Sequence, residues 1–545
     1  MQILAICNRK KQRVGEIYKR ISFVMMGDEI MRALRSLFFL VLLLMCQSAW
    51  AAKGTLLFIP LDNRPVCLDY TVQTMEAAGW EVKTPPREYI ASEKNMGEPD
   101  KMFAWLQQNL GESLGVVASS DALIYGGLVA SRTHEIPMDV LEQRAQRLLR
   151  LRQQFGDKKL YLFTTIMRSP KASSSPVEPA YYKEWGPQLF RLGALEDKRE
   201  LKLLKNKEAK ELTALREAIP SHIITDLYRR RNNNILITEL LLHGVESGDF
   251  DYFLIGRDDT APFSQAHREA RSMEILVSEL PRERIRFFAG ADQLGLVLLT
   301  RAAKRLQYEL PLVNVTYAAG VGGKTVPSYE DDTVAESAKQ HIYAAGAFPV
   351  RLRKHADLVL AVNTPKNGKT LEAGNFANNY KLPVETNNFV KKVARLSERY
   401  PVALADVKFG NGADNALVKE LFDKGLAYKL AAYGGWNTAG NSLGFALGQG
   451  LMSNEFAQSM KKVLLDERYL DDWAYQSNVR MKTYTQLIWP NYWPNSDLKG
   501  EQLDKAEAFI SREMVQLAEP LMGEAVKAYH YTLPWKRMFE VQVAQ

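Results

Sequence analysis

Nine short apolar, β-branched or aromatic runs punctuate the chain, and most are apolar nearly throughout. They are Thr55–Pro60, Val116–Ser119, Leu160–Ile166, Tyr252–Ile255, Ile285–Phe288, Val313–Tyr317, Leu358–Val362, Val402–Val407 and Leu430–Tyr433. Strands covered on both faces read this way, whereas strands with one wet face alternate. Helical patterns separate many of them, for example Met138–Phe155, Gln265–Leu280, Gln293–Leu306 and Val334–Ala344. The fold is therefore expected to be α/β. A (β/α)8-like barrel with a helical insertion and a C-terminal helical cap comes first, and a doubly wound parallel sheet, or two such units, is the alternative.

Two stretches break the rhythm. Residues 170–247 begin near the Pro/Ser-rich Ser169–Pro179 and continue as charged helix, expected as an insertion or lid. After about residue 452 the strand pattern fades, so an α/β domain over 52–451 and a helical region over 452–545 are expected, the latter with the aromatic loop Trp489-Pro490-Asn491-Tyr492-Trp493-Pro494.

The chain opens with an export pattern. Met31 precedes Arg32 and Arg35, then the apolar run Leu37–Met45, then Ala49-Trp50-Ala51, the small-x-small signature of a signal peptidase site. That run is shorter than the about 20 residues a membrane span needs. Residues 31–51 are expected as a signal peptide, and the mixed, charged residues 1–30 as a mis-called extension. The mature chain is then expected in the periplasm or outside the cell, without a stable membrane anchor. Residues 1–51 hold eight Lys/Arg and three Asp/Glu, so the remainder carries 63 basic and 60 acidic residues, +3 rather than +8. This balance gives no reason to expect a nucleic-acid partner. Cys67 is the only cysteine outside that leader, so an ordinary large core must stabilise the chain without disulfides.

Seven of the strands lead into turns that carry Asp, Asn or Arg. These turns supply Asp62 and Arg64, Asp121, Arg168, Asp258 and Asp259, Asp292, Asp406 with Asn411 and Asp414, and Trp436 with Asn437. In parallel α/β folds the carboxyl ends of strands share one face, where ligands bind. Many acceptors, a few arginines and an aromatic platform suit a polyhydroxylated ligand. Single members of the set are also ordinary turn and helix-cap residues.

Asp258-Asp259 is the sharpest pair. Neighbouring carboxylates partly shielded from water raise one another's pKa, which divides them into an acid and a base. No cofactor is expected. The seven histidines stand singly, without metal-binding spacing, although Asp406, Asn411 and Asp414 offer an all-oxygen set for Ca²⁺ or Mg²⁺. No Gly-x-Ser-x-Gly elbow occurs, and the glycine-rich stretches Gly320–Gly323 and Gly434–Gly444 miss nucleotide-binding spacings.

Several motifs together resemble a bacterial family catalogued as domain of unknown function 4127. They are Leu61-Asp62-Asn63-Arg64-Pro65, the stretch Asp121–Arg132, Gly290-Ala291-Asp292, Asn411-Gly412-Ala413-Asp414 and Gly435–Asn441. The resemblance covers nearly all of the mature chain and implies no activity. It implies a paired-acid motif at Asp258-Asp259 and an acid after Gly-Ala-Asp, where this chain has Gln293. An apolar strand ending in Asp-Asp also resembles barrel hexosaminidases, which implies Asp258 as the orienting residue and Asp259 as general acid/base.

The function expected is a periplasmic hydrolase of carbohydrate, cleaving a glycoside with Asp258 and Asp259 as catalytic residues. Asp62, Arg64, Asp121, Arg168, Asp292, Asp406, Asn411, Asp414, Trp436 and Asn437 are expected to bind a small-molecule or oligosaccharide substrate. The alternatives are a non-catalytic carbohydrate-binding or envelope-assembly protein and a metal-dependent phosphoester or amide hydrolase.

Overall fold

The computed structural model describes residues 52–545 apart from Lys94 and residues 172–175, so the expected leader segments 1–30 and 31–51 lie outside the described residues. Six strands form one parallel sheet: β1 (Thr55–Ile59), β2 (Glu81–Lys83), β3 (Gly115–Ser119), β4 (Lys159–Ile166), β5 (Tyr252–Arg257) and β6 (Ile285–Ala289), in the order β2-β1-β3-β4-β5-β6. A second parallel sheet of five strands follows. It contains β7 (Leu312–Tyr317), β8 (Phe348–Pro349), β9 (Leu358–Asn363), β11 (Val402–Asp406) and β13 (Ala432–Gly434), in the order β13-β11-β9-β7-β8. The short strands β10 (Leu371–Glu372) and β12 (Phe409–Gly410) pair with each other, as do β14 (His530–Thr532) and β15 (Gln542–Ala544).

The strands are thus divided between two open sheets and do not close into the eight-stranded ring expected first. A barrel requires each strand to pair with its successor around a circle. Here β1 lies between β2 and β3, and β7 lies between β8 and β9, so the chain reverses its direction of winding twice. Both layouts give the same run of strand and helix signals, and only pairing order separates them. The edge strands β2 and β8, three and two residues long, are too short to leave a periodic signal. The order β2-β1-β3-β4-β5 recurs as β8-β7-β9-β11-β13, so the two halves share one topology.

Side-chain alternation explains the layering. Leu56 and Phe58 of β1 face a central core, while Leu57 and Ile59 face an outer one. In β9, Leu358, Leu360 and Val362 face the same central core, and Val359 and Ala361 face a third. The central layer holds the helices Asp69–Ala77, Leu294–Leu306, Val334–Ala344 and Ala439–Met452, which serve both sheets. The outer layer of the first sheet includes Pro99–Asn109, Met138–Leu149 and Gln265–Ser278. Val384–Ser397, Asn415–Asp423 and Glu501–Met522 cover the second. Between β4 and β5 stands a three-helix excursion, Tyr182–Glu200, Asn206–Ala218 and Ser221–Glu246, with a small apolar core of its own.

Helix Ala439–Met452 is buried along its whole length, which its sequence AGNSLGFALGQGLM permits. A Cβ on Gly444 would lie 2.3 Å from Gln293 Cγ, and one on Gly450 would lie 2.7 Å from Ala403 Cβ. Glycine therefore lets this backbone approach both the helix Leu294–Leu306 and strand β11 more closely than any other residue would. Among the described residues no helix is long and apolar enough to cross a membrane.

The Gly450 contact makes a test of sign. In an ordinary helix interior Gly→Ala gains up to about 1 kcal/mol. Gly450→Ala should instead lose about 1–3 kcal/mol through overpacking against a strand that cannot yield. Gly111, which has open space around it, should tolerate Ala within about 0.5 kcal/mol. Denaturant midpoints of the two variants check this.

Candidate functional site

Strand β5 delivers Arg257 at its end and Asp258 and Asp259 just beyond it. The chain then turns through left-handed backbone at Asp259 (φ 43°) and Phe263 (φ 55°). Such angles are uncommon for non-glycine residues, though less so for aspartate. The turn removes the strand alternation that would have sent the two carboxyls to opposite faces. Asp258 forms an ion pair with Arg132 of the helix Leu128–Thr133, and Asp259 Oδ2 lies 3.5 Å from Arg168 Nη1. Glu178 Oε1 accepts from Arg168 Nε at 2.7 Å and lies 3.7 Å from Arg132 Nη1, so one carboxylate braces both arginines. The side chains of Asp258 and Asp259 are 12% and 25% exposed. Burial, reinforced by the charge of Asp258 and opposed by Arg168 and Arg132, pushes Asp259 up to about 6.

A second network joins the two sheets. Arg64 Nε donates to Asp62 Oδ1 at 2.9 Å, and its Nη2 donates to Asp62 Oδ2 at 2.8 Å and Asp292 Oδ1 at 2.5 Å. The other oxygen of Asp292 accepts from Asn437 Nδ2 at 3.4 Å and Asn441 Nδ2 at 3.3 Å. Arg64 thus ties the end of β1 to that of β6, and Asp292 carries the link on to the segment after β13. The pKa of Asp292 is raised, by burial first, against the opposing charge of Arg64. Cys67 lies 3.5 Å from both Arg64 Nη2 and Asp292 Oδ1, and burial pushes its thiol up, away from the thiolate form that a nucleophile needs.

Asp121 is buried behind this face. It accepts from Thr165 N and Thr165 Oγ1, both at 2.9 Å, which fixes the end of β3 to β4. Burial, only partly offset by these bonds, pushes it up to about 7. Helix capping here belongs to Ser119, whose hydroxyl accepts from Ala122 N.

The second sheet presents Asp406 and Asp414. Asp406 accepts from Asn363 Nδ2 at 2.8 Å, Asp414 N at 2.7 Å and Tyr433 OH at 3.1 Å. Asp414 accepts from Lys408 Nζ at 2.8 Å and caps its helix through Ala416 N at 3.2 Å. Burial first, then the Asp414 charge, push Asp406 up to about 6. The protein's own donors occupy both carboxyls, which brace the strand ends. Asn411 turns away from them, donating to Glu372 Oε2 at 2.8 Å, so the all-oxygen cation set does not converge. Among the described residues no group of three or more His, Cys, Asp or Glu is arranged to hold a metal ion.

Trp436 does not line an open surface, contrary to expectation. It is 1% exposed, with Phe445 and Phe539 edge-on to its ring, because the apolar central layer takes the indole. Gln293 is also buried and bonds His341 Nε2 at 2.9 Å. Residues at this edge with accessible surface include Asp258, Asp259, Arg168, Asn411 and Asn437, joined by the unexpected Tyr329 and Glu372. Asn411 N donates to Asn437 O at 2.8 Å, and both residues adopt left-handed backbone (φ 58°).

Sequence reasoning missed several partners. Arg132 and Glu178 lie in helix and loop positions away from the strand ends. The loop after β7 carries its acids far from the strand end, where no strand-end signal marks them. There Arg257 Nη1 meets Asp331 Oδ1 at 3.1 Å, Arg257 also pairs with Asp332, and Glu330 Oε1 accepts from Gly440 N at 2.6 Å. Burial pushes Glu330 up to about 7. Glu178 also lines a cavity of about 530 Å³ with Tyr181, His222, Asp226 and Arg230, a space that Asp258 and Asp259 do not line.

These relations fix signs for a titration followed by carbon-13 NMR. The Asp259 carboxyl should titrate near 6. Asp258→Asn should lower that value by removing a like charge, and Arg168→Met should raise it by removing an opposite one. Because the folded value exceeds the unfolded one of about 3.9, wild type gains stability as pH falls from 6 toward 4. The stability advantage of Asp259→Asn over wild type should therefore shrink by about 1–2 kcal/mol between pH 7 and pH 4.5.

A family model described as a protein of unknown function, DUF4127, matches residues 56–544, nearly the whole chain. No curated protein and no solved structure matches. The chain belongs to the DUF4127 family.

Proposed function

We propose that the protein is an exported, periplasmic hydrolase that cleaves a glycosidic bond in an envelope or imported oligosaccharide. Asp259 is the general acid/base, and Asp258 orients the substrate beside it. The observation that carries this reading is the unequal surroundings of the two adjacent carboxyls. Asp258 is held in an ion pair by Arg132, whereas burial and the Asp258 charge push Asp259 up to about 6. A carboxyl that keeps its proton up to about pH 6 can pass it to a leaving-group oxygen, and once ionised it can accept one from water. Arg168, Asn411 and Asn437 supply donors on the accessible rim, while Asp62, Arg64, Asp121 and Asp292 hold the strand ends behind them. Export rests on the leader pattern over residues 31–51.

The test uses protein starting at residue 52, incubated with a digest of peptidoglycan and envelope glycans and with aryl glycosides, its products followed by mass spectrometry. Wild type should release new saccharides, and Asp259→Asn should lower turnover at least about a hundredfold. On the alkaline side kcat/KM should fall about tenfold per pH unit above about 6, as the acid loses its proton. Full activity in Asp259→Asn would remove the acid/base assignment. A glycan that raises Tm without being cleaved would favour the binding-protein alternative.

A further inference from the structure

A site for a pyranose ring needs an apolar face, and the buried Trp436 offers none. We infer that Tyr329, backed by Glu372 and Asn411, is the sugar-stacking platform beside Asp259; this rests on the glycoside reading above. Tyr329 is 37% exposed, on the loop between β7 and the helix Val334–Ala344. The next residues pin that loop. Glu330 takes the Gly440 amide, and Asp331 and Asp332 grip Arg257, which directly precedes Asp258 in sequence. A loop tied to the end of β5 in this way holds Tyr329 close to the paired aspartates.

The ring itself is fixed. Its hydroxyl donates to Glu372 Oε1 at 2.7 Å, and Glu372 Oε2 accepts from Asn411 Nδ2 at 2.8 Å. Tyr329 adopts left-handed backbone (φ 71°), an uncommon angle for a tyrosine. Partial burial raises the pKa of its hydroxyl, and the Glu372 bond and the charge of Asp259 add to the rise, in keeping with their proximity. An exposed ring face beside an exposed carboxylate and a side-chain amide matches one face of a hexopyranose. The axial C–H groups would lie on the ring, and adjacent hydroxyls would meet Glu372 and Asn411.

The experiment uses the chain from residue 52 carrying Asp259→Asn, so that a bound glycan is not turned over. The probe is an array of bacterial envelope oligosaccharides and N-acetylhexosamine oligomers. Adding Tyr329→Ala should weaken binding to array glycans on the order of tenfold, while Tyr329→Phe, which keeps the ring face, should stay within about threefold. Tyr329→Leu, of similar bulk but without a face, should behave as the Ala variant and replaces it if that variant fails to fold. Unchanged binding in the Ala or Leu variant, with Tm preserved, overturns the platform and leaves the glycan-directed reading standing. Absence of any bound glycan in the parent overturns both.

Discussion

The molecule depends on how closely one helix backbone can approach its neighbours. Ala439–Met452 runs through the central layer between the two sheets, with Gly444 against Gln293, Gly448 against Leu296 and Gly450 against Ala403. Larger side chains at these positions would thicken the layer and separate the sheets. The carboxyl ends of β6 and β13 would then part, and Asp292 could not reach Asn437 and Asn441. Dense packing of small residues thereby sets the distance over which the polar network must work.

That network shows burial and pairing in competition. Desolvation disfavours every carboxylate it covers, and an arginine restores the charge only where it lies close. Arg64 lies between Asp62 and Asp292, and Arg132 and Arg168 serve Asp258 and Asp259 through a shared Glu178. For Asp259, Asp121 and Glu330 desolvation is the stronger influence, and all three are pushed toward neutral pH. Removing one partner from such a pair typically costs about 3–5 kcal/mol, because the other charge is left buried alone. Asp259, Tyr329, Asn411 and Asn437, all with left-handed backbone, lie along the same edge.

Strand content was legible because burial on both faces writes long apolar runs, and all nine expected runs correspond to strands. Sheet closure was not legible: pairing order depends on contacts between distant segments, and the reversals at β1 and β7 leave no local mark. At the site, Asp62, Arg64, Asp292 and Asn437 were visible as strand-end residues and do come together. Asp406 and Asp414 were visible for the same reason, yet they are saturated by Asn363, Tyr433 and Lys408. A carboxylate that receives ligands and one that braces a turn look alike until their donors are counted. Trp436 failed as a platform because aromaticity alone does not report whether a ring faces water.

Residues 535–543 reach back to the turn and helix that follow the first strand. Trp535 Nε1 donates to Asn63 Oδ1 at 2.6 Å, its indole lies under the Arg64 guanidinium, and Val543 N donates to Tyr70 OH at 3.1 Å. The surroundings of Arg64 are therefore incomplete until Trp535 has been synthesised. A ribosome delivers Asn63 first and its indole partner 472 residues later, so completion of this edge waits for a segment remote in the sequence. A nascent or prematurely terminated chain lacks the finished constellation, however well its first sheet has formed.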